Sequence, residues 1–181
     1  YDTQQLLFKD QTTVLNIVGG FSMTKLLRML GFLWAAPLTL LALPYVLLFS
    51  ALGWYTYLGM RGDALTWFVN LDKLPKLCQN FWSKWGGHCI GNVVVVKWNV
   101  ESDRGRVTLR HEQEHVRQCM VLGIFQPIIY AIAWIVFYFC RYSDPYYSNP
   151  FEIDARRAAG QIVDIEGTIK RFQEQRQDKT S

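Results

Sequence analysis

Charge is what this chain is short of: Asp, Glu, Lys and Arg make up 19% of its 181 residues, against roughly 25% in soluble domains. Half of the residues are hydrophobic and 15% aromatic, so intrinsic disorder is excluded and lipid becomes the expected surroundings. The four cysteines, Cys78, Cys89, Cys119 and Cys140, show no CxxC spacing. That gives no support to a disulfide framework and favours reduced thiols, hence a cytosol-facing setting. A net charge of +4 without a concentrated basic stripe argues against a nucleic-acid partner. Internal repeats and low-complexity tracts are missing, and residues 1–22 lack the charged start, apolar run and cleavage site of a secretory signal. At this length a single domain is expected.

What the chain has in abundance is apolar sequence in long runs. Between Arg28 and Arg61 stand 32 uncharged residues. One straight helix of that length would measure about 48 Å, against a hydrocarbon core of about 30 Å. Pro37 and Pro44 interrupt the run, so a kinked span and a re-entrant hairpin both remain open. Lys25 and Arg28 flank its near end, and Trp54, Tyr55 and Tyr57 at the far end read as an interfacial aromatic belt. A second uncharged run, 118–140, lies between Arg117 and Arg141 and carries Pro127, a natural breaking point. The chain therefore divides into an N-terminal arm at 1–25, with Met23 as an alternative native start, a membrane segment or hairpin at 26–60, and a domain at 61–181.

Within that domain, 91–100 reads as a strand, 101–105 as a turn, and 106–109 as a short return strand or a helix entry. The stretch 76–89, with three aromatics and two Lys, suits either the headgroup layer or a small core. From Asn149 the chain reads as helix, with Asn149 as cap and Pro150 at the first position, and the last dozen residues fray.

Chemistry concentrates at His111-Glu112-Gln113-Glu114-His115, an HExxH motif holding two of the three histidines. From the chain's own frequencies a chance match is about one in six hundred. On a helix, residues four apart differ by about 40° around the axis, so both imidazoles face one point, while Glu112 can reach a water there. This is the pattern of a Zn2+ site with a general base, and a catalytic zinc takes a third protein ligand. Glu152 is the chosen third ligand, with two competing roles: partner of Asn149 in a capping box, or of Arg156 at i+4. Asp154, about 200° round the helix from Glu152, cannot bind the same ion but could support a ligand. Tyr142, Tyr146 and Tyr147 are candidate donors to an oxyanion or, alternatively, interface anchors. His88-Cys89 is too isolated to count as a metal pair.

HEQEHVRQ, the LG at 122–123, a Tyr-containing stretch and NPFEIDA together resemble the HExxH zinc metallopeptidases whose third ligand is a Glu on a later helix, the gluzincin-like enzymes. More narrowly, residues 107–160 are similar to small bacterial and phage putative metallopeptidases with an NPFE-x-acidic-Ala second motif. The resemblance implies His111, His115 and Glu152 as zinc ligands and Glu112 as catalytic base. Gln113-Glu114 departs from the smaller or apolar residues usual inside the motif, which bears on substrate fit.

If His115 and Glu152 share one ion, the 118–140 run between them is not a simple span, because a straight one of about 34 Å would put them on opposite membrane faces. It must fold back near Pro127, lie in the interface, or bury itself against the first apolar run. The expected fold is mainly α with a small β-hairpin, a membrane-associated zincin-like helical core in which 118–140 dips into the membrane. The expected function is a zinc-dependent metallopeptidase, membrane-bound with its site facing the cytosol. Its partners are a peptide or protein substrate and membrane lipid, and the strand at 91–100 could pair with an extended substrate. The alternative is a non-enzymatic structural or interaction protein in which zinc clips two helices together.

Overall fold

Four consecutive valines, Val93–Val96, fix the centre of the molecule: all are fully buried, as an unbroken β-branched run requires when both faces of its strand are covered. The computed structural model describes residues 22–140 and 144–177. The sheet has four strands, β1 (Tyr55–Arg61), β2 (Ala64–Val69), β3 (Gly87–Ile90) and β4 (Val93–Val96), in the order β1-β2-β4-β3. β1 and β2 form an antiparallel hairpin, β2 and β4 run parallel, and β3 returns antiparallel along β4. The β part is thus a mixed sheet, larger than the expected hairpin. Its strand within 91–100 is confined to 93–96, and residues 106–109 lie in a helix.

Val93 and Val95 face a cluster with Ala42, Val46, Trp67 and Trp82, while Val94 and Val96 face Val116, Ala64 and Val100. Helices α1 (Met23–Ala51) and α2 (Lys76–Lys84) therefore cover one face, and α3 (Asp103–Leu122) covers the other. A 3-10 turn at Leu71–Lys73 leads into α2. The chain continues through α4 (Phe125–Cys140), α5 (Pro150–Ala158) and α6 (Ile165–Gln177). The structure is mainly helical, as the sequence led us to expect.

Of the two readings left open for the first apolar run, the structure keeps the helix and drops the hairpin. α1 is one continuous helix through Pro37 and Pro44, not a re-entrant hairpin, and it is long and apolar enough to cross a membrane. Ala35, Leu38, Thr39, Ala42 and Val46, spaced i, i+3, i+4, i+7 and i+11, are buried, and its other side leaves Leu33, Leu40, Leu41, Leu47 and Leu48 exposed. Residues 22–30 form a separate unit in the contact pattern, all exposed; residues 31–181 make up the other unit. Gly91 shows how closely α1 and the sheet approach, because a Cβ there would lie 2.5 Å from the Thr39 amide nitrogen. The buried Asn92 seals the contact, donating its backbone N–H to Thr39 Oγ1 (2.9 Å) and its amide to the Asp63 carbonyl (3.1 Å).

The far end of the run enters the sheet, which takes Tyr55 out of the expected aromatic belt while Tyr57 stays 50% exposed. Tyr55 is 5% exposed, in the core with Trp82 and Phe49, so the boundary drawn between residues 60 and 61 cuts through β1. Among the last dozen residues, helix continues to Gln177. Residues 1–21, most of the expected N-terminal arm, lie outside the described residues, as do 141–143 and 178–181.

Candidate metal centre

The HExxH segment sits in the middle of α3. Ser102 caps that helix, its hydroxyl accepting from the Gly105 amide at 3.1 Å, and Gly105 lets the helix start against the Asn99 carbonyl, where a Cβ would be 1.8 Å away. The inward residues are Glu112, His115, Val116, Gln118 and Cys119, the period expected of a helix on a sheet. α3 ends at Gly123, whose φ of 57° only glycine adopts freely, and the chain turns by 112° into α4. The expected break in the 118–140 run thus exists, but at Gly123. Pro127 sits within the first turn of α4, where a missing N–H costs no intrahelical bond.

That bend brings the site together. α5 begins with Asn149, whose Oδ1 accepts from the Phe151 amide at 3.1 Å and whose Nδ2 donates to the Tyr130 carbonyl of α4 at 3.2 Å. Glu152, three residues on, is not spent on a capping box. It is 3% exposed, and its carboxylate meets the histidines: His111 Nε2 lies 3.4 Å from Oε2, His115 Nε2 lies 3.3 Å from Oε1, and the two Nε2 atoms are 3.3 Å apart. Ligand atoms arranged tetrahedrally at about 2.1 Å from a cation are separated by about 3.4 Å. Each imidazole thus lies at about that separation from the other and from one of the two carboxylate oxygens, and one ligand atom from each residue falls within 4.8 Å of the rest, so the cluster could hold a metal ion.

Hydrogen bonding supports the same fit. Gln118 Nε2 donates to the Phe151 carbonyl at 3.1 Å, which leaves Gln118 Oε1 to accept from His115 Nδ1 at 2.8 Å. With the proton on Nδ1, His115 Nε2 carries a lone pair and points at a carboxylate oxygen, two acceptors face to face unless a cation stands between them. Glu152 Oε2 is buried without a hydrogen-bond partner. Burial alone would lower His115 and raise Glu152. Instead contact with Glu152 raises His115 to about 9, and His111 together with His115 pulls Glu152 below the usual carboxylate range. The pocket selects for positive charge, which a proton or a metal can supply.

Glu112 is buried and lines the same cavity of about 250 Å³ with His111, His115 and Glu152. Burial raises its carboxyl to about 7, against the lowering influence of His115 and His111. Its place is fixed by Gly87 of β3, where a Cβ would lie 2.8 Å from Glu112 Oε1.

The other candidates divide between the cavity and the outside. Asp154 is exposed and pairs with Arg157 at 3.7 Å, so it supports no ligand. Glu114 is bound by Arg117 and Gln113 donates to the Arg61 carbonyl at 2.9 Å, so both unusual motif residues are engaged outside the cavity. Arg156 does approach Glu152, at 3.6 Å, while its guanidinium lies over the Tyr146 and Tyr147 rings. Of the tyrosines, Tyr146 lines the cavity, Tyr147 is 52% exposed, and Tyr142 lies outside the described residues. His88 and Cys89 also line the cavity, but His88 bonds Tyr45 at 2.5 Å and neither belongs to the cluster.

Two residues went unassigned in the sequence. Gln118 orients His115, and Tyr130 of α4 donates to Glu152 Oε1 at 2.9 Å. Each is polar in an otherwise apolar stretch, the signal that could have found it. Compared with protein-family models, curated proteins and solved structures, the chain matches none.

Proposed function

We propose that the protein is a membrane-associated zinc metallopeptidase of the HExxH, gluzincin-like kind, with His111, His115 and Glu152 as metal ligands and Glu112 as general base. The observation that carries the reading is a cluster of two imidazoles and a carboxylate close enough to share a metal ion, with a second, buried carboxylate beside it. Two nitrogens and one oxygen suit zinc, which in catalytic sites leaves a fourth position for water. When bound, zinc supplies a Lewis acid for a peptide carbonyl and acidifies water. Glu112 takes the proton of the attacking water and returns it to the leaving amine. A carboxyl that titrates near neutrality suits both transfers. Tyr146 is our choice for the donor to the carbonyl oxygen, since burial raises its hydroxyl and keeps it protonated.

The substrate-pairing edge is reassigned from the strand at 91–100. β4 is hydrogen-bonded on both sides, whereas β3 is an edge strand and its Gly87 touches Glu112. An extended peptide would add to β3. The membrane part rests on α1 and on α4, whose Ile128, Ile132, Val136 and Phe139 are exposed together with the outer leucines of α1, more apolar surface than a water-soluble monomer tolerates. Four free cysteines support a cytosol-facing site.

A purely structural metal clip has no use for Glu112. Metal analysis of wild type beside His111→Ala and Glu152→Ala, with hydrolysis measured for Glu112→Gln, tests the assignment. Both ligand variants should lose stoichiometric metal, and Glu112→Gln should keep metal and lose at least about a hundredfold in rate. Full metal in either ligand variant removes that residue from the set, and an unchanged rate in Glu112→Gln overturns the peptidase mechanism.

A further inference from the structure

α2 turns one side to the sheet and a second apolar side to the outside. Trp82 is buried, yet Leu77 is 82% and Phe81 55% exposed, and Trp85 just past the helix end is 43% exposed. Spaced i, i+4 and i+8, the three form one stripe, in which the Phe81 and Trp85 rings stack with centroids 6.2 Å apart. The stripe ends at the metal cavity, because Trp85 lines its mouth and meets Tyr146 edge-on at 6.3 Å. Lys73, Lys76 and Lys84 stand exposed around it with one acidic neighbour, Asp72, and none of the three has an ion-pair partner among the described residues. Aromatic and aliphatic side chains beside lysines with long apolar stems are the composition of a helix lying in the headgroup layer of an anionic bilayer.

We propose that α2 is an interfacial helix that sets Leu77, Phe81 and Trp85 among the upper acyl chains of an anionic membrane and so holds the mouth of the metal cavity at the lipid surface. The inference rests on the membrane association proposed above, not on hydrolysis, and it deepens that reading: the substrate is then an extended segment lying close to the bilayer, within reach of β3.

The test uses the full chain in nanodiscs of phosphatidylcholine alone or mixed equally with phosphatidylglycerol. Cys140 is replaced by Ser, and an environment-sensitive NBD label is attached at Leu77→Cys or, on the polar side of α2, at Asn80→Cys, with the labelled site verified by mass spectrometry. At position 77 the label should shift to the blue and be quenched by lipids brominated high on the acyl chain, more strongly in the anionic discs than at position 80. Replacing each of the three lysines by Gln should weaken this docking by roughly fivefold at low salt, and high salt should reproduce the loss. A water-like, unquenched label at 77 in both discs overturns the proposal while leaving the peptidase reading intact, and so does equal quenching at 77 and 80. A chain that stays in solution without detergent and leaves the discs unoccupied overturns membrane association and this proposal together, whatever the rate of hydrolysis.

Discussion

At the residue scale, the site is a problem in acceptor placement. His115 is fixed in the metal-ready tautomer by a relay from the Phe151 carbonyl through Gln118. Gln118→Leu should therefore leave the fold in place and weaken metal binding by about 10–100-fold, measured by competition with a chromophoric chelator; unchanged affinity would show that the relay is idle. The proton-metal competition predicts a pH dependence as well. His115 in the metal-free protein has a folded value of about 9, above its unfolded 6.5, so its contribution to stability is complete below 6.5 and lost as pH rises through 9. Glu112, raised from 4.5 to about 7, acts in the same direction over its own range. Melting temperatures of the metal-free protein should fall between pH 6 and 9 relative to the zinc-loaded protein, which no longer needs the proton; parallel curves would refute this. His111, His115, Glu112 and Glu152 were legible in the sequence because their chemistry is announced by residue type and spacing. Tyr130 was not, because its role exists only through a contact to a residue 22 positions away, and Gln118, although three residues from His115, is oriented only by the Phe151 carbonyl 33 positions on.

At the element scale, the decisive feature is the turn between α3 and α4. A simple span is incompatible with His115 and Glu152 sharing one ion, and the 112° bend is what such sharing requires. Proline was the wrong signal for its position, since Pro127 at a helix start disturbs little, whereas Gly123 combines a positive φ with contact on Trp34, whose indole nitrogen a Cβ would approach to 2.5 Å. Gly123→Ala should cost about 1–3 kcal/mol from backbone strain alone, read from the denaturant midpoint, and should lower metal occupancy with it. A midpoint equal to wild type would mean that the bend has another origin. Gly87→Ala tests β3 in the same way: crowding Glu112 should reduce hydrolysis at unchanged metal content. β1 escaped the sequence reading because its aromatic residues look alike whether they face headgroups or a core, and only the partners Trp82 and Phe49 decide.

At the scale of the whole molecule, a small sheet is wedged between an apolar helix and the helix that carries the histidines, and hydropathy alone could not show that α1 divides its surface between sheet and exterior. The three candidate ligands are residues 111, 115 and 152, so an ion held by them would tie the two ends of the segment bearing α4 to each other. Such a staple stabilises by closing a long loop in the unfolded chain. Withdrawal of such an ion would then do more than stop the proposed hydrolysis: the stretch bearing α4 would become the weak point of the fold. Limited proteolysis with and without a chelator should show cuts appearing there first while the sheet stays intact, so that supply of the ion would set how long the protein lasts among proteases.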